Sequence, residues 1–226
     1  DCTEKWQKGI VYRNKIYFLP YNESTILILN TDDDSVNYVE LKVSGRGKYV
    51  QGHIYGNRII AMPYGEHEPY KWVLDFNMKY NTVSMHHLDI PFEDTKYWHT
   101  TQIVDGIIYG MPRGEKHDIF FPFRLEYDCM NNNYNLVDLS NVWGDYDADR
   151  TANKKFTTLA KVGNKLFAPP YSESKFFDFL AMKTEKGWQY TKTGQQTTSR
   201  KYYAHTVARN GKIFFPPAGH DEDWSE

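Results

Sequence analysis

Lys201-Tyr202-Tyr203-Ala204-His205-Thr206-Val207-Ala208-Arg209-Asn210-Gly211-Lys212-Ile213-Phe214-Phe215-Pro216-Pro217 is the stretch on which the fold turns. It reads as a lysine and an aromatic residue, a short Val-bearing strand, an Asn-Gly turn, an apolar strand, and a closing proline. Asn-Gly between two apolar runs supplies the positive φ angles that a two-residue hairpin needs. The same phrase recurs four times upstream: Lys5-Trp6 to Pro20-Tyr21, Lys48-Tyr49 to Pro63-Tyr64, Lys96-Tyr97 to Pro112-Arg113, and Lys155-Phe156 to Pro170-Tyr171. From Lys to Pro the spacing is 15, 15, 16, 15 and 15 residues, whereas successive lysines lie 43, 48, 59 and 46 residues apart. Insertions therefore fall outside the phrase, and a period of this size marks a solenoid or a propeller.

Four copies carry a turn signal at this place, Gly56-Asn57, Asp105-Gly106, Gly163-Asn164 and Asn210-Gly211, and the first has Arg13-Asn14 between its two strands. After the proline and a polar loop comes a third apolar run, at Thr25–Leu29, Trp72–Phe76, Ile119–Phe123 and Phe176–Leu180. A weaker fourth run follows, as at Asn37–Leu41 and Gly187–Tyr190. Four antiparallel strands per unit describe a propeller blade, since the rungs of a β-solenoid are shorter. The expected fold is all-β: one domain over residues 1–226, with units beginning near Lys5, Lys48, Lys96, Lys155 and Lys201. The fifth unit supplies two strands before Trp224, so at least five blades are expected, the last completed by a downstream segment or another chain.

The run Lys201 to Pro217, with His205, Val207 and Asn210-Gly211-Lys212-Ile213-Phe214, resembles the kelch-like propeller repeats. The chain departs from kelch blades in one respect, placing Pro-Tyr or Pro-Pro where they carry Gly-Gly after the second strand. The resemblance implies blade architecture and no chemistry, because propellers host unrelated functions.

Charge and composition narrow the function. With 27 basic and 29 acidic residues, no global field points to nucleic acid or an anionic membrane. No apolar run is long enough for a membrane helix, and 18 Tyr and 13 Phe favour strands. The start at Asp1-Cys2-Thr3 and the sequon Asn22-Glu23-Ser24 point to a processed, secreted or lumenal chain with Asn22 as glycosylation acceptor. Cys2 and Cys129 are able to pair in such a compartment.

Because the two strands of the phrase form a hairpin, Lys and Pro-Tyr meet at one rim. Glu23, Glu66, Glu115 and Glu173 follow their lysines by 18, 18, 19 and 18 residues and join them there. Two readings compete for this ring. In the first, each Lys pairs with a Glu and each Tyr packs between units, as scaffold. In the second, Lys5, Lys48, Lys96, Lys155 and Lys201, with Tyr21, Tyr64, Tyr171 and Arg113, line a mouth for a glycan or protein ligand. Trp98, His99, Lys116 and His117 break the repeat and are candidates on that ground.

Asp145, Asp147 and Asp149 alternate like the opening of a calcium loop, but Arg150 occupies the sixth position and Phe156 the twelfth, where Gly and Glu are required. A solvated acidic loop without a cofactor is expected, with calcium as the alternative. No nucleophile elbow, phosphate loop or zinc spacing is present. The expected function is a non-enzymatic recognition domain for a protein or glycan. The alternatives are a carbohydrate-active hydrolase or lyase and a structural subunit of an assembly.

Overall fold

The computed structural model describes residues 4–65, 70–90, 97, 98, 100–112, 123–139, 156, 158–168, 179–192, 207–209 and 212–214. Among these residues there is no helix, and the strands form antiparallel meanders. Sheet one is β1 (Trp6–Tyr12), β2 (Lys15–Pro20), β3 (Thr25–Asn30) and β4 (Val36–Glu40). Sheet two is β5 (His53–Tyr55), β6 (Arg58–Ala61), β7 (Trp72–Asn77) and β8 (Thr82–His87). Sheet three is β9 (Thr101–Val104), β10 (Ile107–Gly110), β11 (Phe123–Asp128) and β12 (Asn133–Asp138). Sheet four is β13 (Ala160–Val162), β14 (Lys165–Ala168), β15 (Phe179–Thr184) and β16 (Gly187–Lys192). A fifth sheet pairs β17 (Val207–Arg209) with β18 (Lys212–Phe214).

The chain divides into two compact units, Asp1–Tyr97 with Cys129–Asn132, and Trp98–Asp128 with Asn133–Glu226. Sheets one and two lie in the first, and the other three in the second.

Local sequence accounts for the hairpins. The first turn residue has positive φ in each of the first four sheets: Arg13 at 55°, Gly56 at 60°, Asp105 at 50° and Gly163 at 57°. Arg13 is the exception in chemistry, a bulky residue held in the left-handed region at a cost of about 1–2 kcal/mol. Strand β7 is buried on both faces at Val73, Leu74, Asp75 and Phe76, and so it reads as a continuous run. The fourth strand alternates, as β8 does, because one face meets solvent.

Two of the third strands lie further along the chain than their apolar runs suggest. The run Ile119–Phe123 meets β11 only at Phe123, and Phe176–Leu180 precedes most of β15, which continues to Thr184. The strands extend through Arg124, Glu126 and Lys183, whose charges are partnered in the fold. Arg124 donates to Glu126 Oε1 at 2.7 Å and to the Tyr190 hydroxyl at 2.6 Å, and its guanidinium lies 4.6 Å from the Trp188 ring. Lys183 Nζ sits 5.0 Å from the Tyr109 ring. A search for apolar residues passes over strands stabilised in this way.

In the first unit the core joins both sheets through Tyr17, Leu19, Ile26, Ile28, Tyr49, Ile59, Leu74 and Phe76. Tyr49 is fully buried, with its hydroxyl 2.9 Å from that of Tyr70 and donating to Trp72 O at 3.0 Å. Burial pushes the Tyr70 phenol up to about 12 and the Tyr49 phenol well above its ordinary range. The folded chain thus keeps protons that the unfolded chain releases near pH 10. This stabilisation is complete below pH 10 and is lost as pH rises through about 12. Urea midpoints should fall across that window, and less steeply in Tyr70→Phe; an identical fall in both proteins would show that Tyr70 is not the group responsible.

The second unit has its own core around Val104, Met111, Leu139, Phe156, Leu159, Leu166 and Ala181. Gln102 Nε2 donates to Leu159 O at 3.0 Å and Lys161 Nζ to Ile103 O at 2.7 Å, tying sheet three to sheet four.

Candidate functional site

At the start of β1 the recurring phrase is held mainly by main-chain groups. Lys5 O accepts from the amides of Tyr21, Asn22 and Glu23 at 3.0, 3.2 and 3.3 Å. Tyr21 O then accepts from Lys48 N at 3.0 Å, Lys48 O from Tyr64 N at 2.8 Å, and Tyr64 O from Tyr97 N at 3.2 Å. The side chains follow this frame. Tyr21 and Tyr64 are 2% and 5% exposed and pack with Val50, their ring centroids 6.4 Å apart. Lys48 is 1% exposed, and its ammonium donates to Gly45 O. Lys5 pairs with Glu23 at 3.0 Å on the surface, a contact worth about 0–1 kcal/mol. Asn22 Oδ1 accepts from Gly47 N at 3.0 Å.

In these two copies the tyrosines are buried, Lys5 pairs with the acid of its own unit, and Lys48 is spent on a main-chain carbonyl.

Trp98 is also internal. It is 2% exposed, donates from Nε1 to Phe123 O at 3.0 Å, and lies against Gly110, where an added Cβ would stand 2.8 Å from Trp98 Cγ. A rigid ring cannot yield as a flexible side chain does. Gly110→Ala should therefore cost about 1–3 kcal/mol in chemical denaturation; an unchanged midpoint would mean that the indole is free to move.

Lys96, His99, Arg113, Lys116, His117, Lys155, Tyr171 and Lys201 lie outside the described residues. So do Glu66, Glu115, Glu173, Asp145, Asp147, Asp149 and Cys2. Cys129 is fully buried. Among the described residues no group of three or more His, Cys, Asp and Glu side chains gathers to hold a metal. No helix among them is long and apolar enough to cross a membrane.

The opposite end of the first-unit strands is more open. A cleft of about 460 Å³ is lined by Tyr12, Arg13, Asn14, Lys15, Tyr17, Asn57, Met78 and Lys79. Its walls are turns, and main-chain bonds fix them: Thr31 N donates to Asn14 O at 2.9 Å, and in sheet two Met78 N donates to Asn57 O at 2.8 Å. Asn14 Nδ2 donates to Asn30 Oδ1 at 3.2 Å and to Asp32 Oδ2 at 2.6 Å, fastening one turn of sheet one to the next. Tyr12 donates its hydroxyl to Asn57 Oδ1 at 3.1 Å and bears the Arg13 guanidinium 5.3 Å from its ring.

Tyr17 is 2% exposed, and burial first, then the neighbouring Tyr12, raises its phenol above the ordinary value, against the opposing effect of Arg13. It stays neutral at physiological pH and can donate. Among the described residues lining the cleft, the charged groups are the cations Arg13, Lys15 and Lys79, with no carboxylate.

The sequence signal for this cleft is Arg13. Among the described first-to-second-strand hairpins, three others place Gly or Asp at the strained first position of the turn, and a long cation occupies it here. Backbone strain of this kind gathers at functional positions.

A second polar cluster is internal. Arg58 donates from Nε to Asp75 Oδ1 at 2.8 Å and from Nη2 to Asp75 Oδ2, while Nη1 reaches Cys129 O at 2.7 Å and Nη2 reaches Asn132 Oδ1 at 2.6 Å. His86 Nε2 lies 3.6 Å from Asp75 Oδ2 and has no hydrogen-bond partner among the described residues. With both carboxylate oxygens on Arg58, this Asp is a structural clamp rather than a base.

No family model matches the sequence, and no curated protein matches it. The chain is similar to the solved structure of YjhT, with a TM-score of 0.58 and 12% identity over 94% of this chain and 72% of that one. At that identity the likeness speaks to fold alone.

Proposed function

We propose that the chain is a recognition domain of β-propeller type, its four-stranded sheets serving as blades of a kelch-like repeat, and that it captures its ligand in the cleft at the β1–β2 turn. Serial four-stranded meanders and the likeness to YjhT support the architecture. The observation that carries the function is the cleft itself: a concave site lined by phenols, amides and cations. Among the described residues it has no carboxylate to act as general acid or base. Such a lining supports the binding of a polar ligand. A secreted or lumenal location accompanies this reading, and its support is the sequon at Asn22.

The test compares the two ends of the same strands. A panel of glycans and small metabolites is screened by ligand-detected NMR against wild type, Lys15→Glu and Lys5→Glu. Loss of binding in Lys15→Glu alone supports the cleft. Loss in Lys5→Glu alone moves the site to the Lys and Pro-Tyr rim, and conversion of any panel member into product replaces recognition with catalysis.

A further inference from the structure

The cleft also specifies the chemistry of its occupant, an inference that rests on the reading above. Tyr17 lies at its floor, nearly buried, and its hydroxyl has no hydrogen-bond partner among the described residues. Asn57 accepts from Tyr12 through Oδ1, which leaves its Nδ2 protons without an acceptor among the described residues. Arg13, Lys15 and Lys79 form no ion pair among the described residues; Arg13 rests on the Tyr12 ring, and Lys79 Nζ lies 4.9 Å from the Tyr80 ring. Asp32, in the neighbouring turn, is held by Asn14 at 2.6 Å and is absent from the lining. The cleft therefore offers donors and positive charge, with few acceptors to answer them.

From this we propose that the cleft binds a tetrahedral dianion, the phosphate monoester of a small molecule. A carboxylate carries one charge and two oxygens, too little for three cations and two neutral donors. A phosphate monoester carries a charge of about −1.5 to −2 at neutral pH and three strong acceptor oxygens. The volume argues for an organic group as well as the anion, because 460 Å³ falls within the range of about 300–1,000 Å³ typical of small-molecule sites. Met78, 7% exposed, supplies an apolar wall for that group. The dianion sits among the cations of the turns with Tyr17 donating from below, and the organic group extends toward the open side.

Calorimetric titration of the 226-residue chain tests this with four probes: inorganic phosphate, a hexose phosphate, the unphosphorylated hexose, and a phosphotyrosine peptide. Hexose phosphate is expected to bind most tightly, and added salt should weaken it as counterions compete. Tyr17→Phe and Lys15→Gln should each weaken it by about tenfold or more, as expected for lost charge-assisted or buried hydrogen bonds. Arg13→Gly should weaken it as well while holding or raising the unfolding midpoint, since glycine relieves the strained turn. Unchanged midpoints in Tyr17→Phe and Lys15→Gln separate lost binding from lost folding.

Equal binding of neutral hexose and hexose phosphate, lost in Tyr17→Phe, would overturn the dianion and leave the recognition reading standing. Tighter binding of the phosphopeptide would overturn the small-molecule source. Weak phosphate binding that no cleft variant alters would mark an adventitious ion only, and with no other probe bound it would remove both readings.

Discussion

Arg58→Ala is expected to lower folding stability by about 3–5 kcal/mol, toward the lower end because the Arg58 side chain is 23% exposed. Arg58 spans Asp75 on β7, the carbonyl of Cys129 and the side chain of Asn132, all within the first unit. Its removal leaves the Asp75 carboxylate, whose side chain is only 10% exposed, without its bidentate partner, and it frees the 129–132 turn. The cost comes from stranding a charge more than from losing an attraction. The double replacement Arg58→Met with Asp75→Leu removes both charges and should recover much of the loss. Urea denaturation of the three proteins checks the argument. If the double variant is as unstable as Arg58→Ala, the contacts to Cys129 and Asn132 outweigh the ion pair.

Phe76→Ala should cost about 3–5 kcal/mol as well, for a different reason. Phe76 is 0% exposed, stands between Ile59 and Val83 in the sheet, and meets the Tyr17 ring at 5.8 Å. Truncation opens a cavity where sheets one and two share their core. Phe76→Leu retains most of the volume and should cost less than about 1.5 kcal/mol. The ring contact adds a second readout, because Tyr17 forms the floor of the cleft: ligand affinity should fall in Phe76→Ala even where the protein remains folded. Unchanged affinity at full folding would mean that Tyr17 is positioned without Phe76.

Much of the architecture is legible in the sequence because it depends on local rules. The turns at Gly56-Asn57, Asp105-Gly106 and Gly163-Asn164 stand where the pairings Tyr55↔Arg58, Val104↔Ile107 and Val162↔Lys165 require them. Strands β3 and β7 lie within a residue of their apolar runs. Strands β11 and β15 are displaced from theirs, because Arg124, Glu126 and Lys183 find partners that only tertiary structure supplies.

The site is less legible. Regular spacing locates Tyr21 and Tyr64 relative to their units but carries no information on exposure, and a tyrosine that packs between sheets repeats as faithfully as one that binds. The cations of the cleft come from three places, Arg13 in one turn, Lys15 at the start of β2 and Lys79 in the turn between β7 and β8. Their convergence follows from the alignment of two hairpins, of which the only sequence trace is an arginine in a glycine's place.

The main-chain relay from Lys5 through Tyr21, Lys48 and Tyr64 to Tyr97 bears on how such a chain diversifies. A joint made of peptide groups is indifferent to the side chains it carries, so duplicated copies can drift far apart and still dock. Proline is the exception, since it removes the donating N–H. Selection can therefore rewrite nearly every letter of a copy while excluding one residue from the donor positions, and a fold built this way outlasts recognisable ancestry.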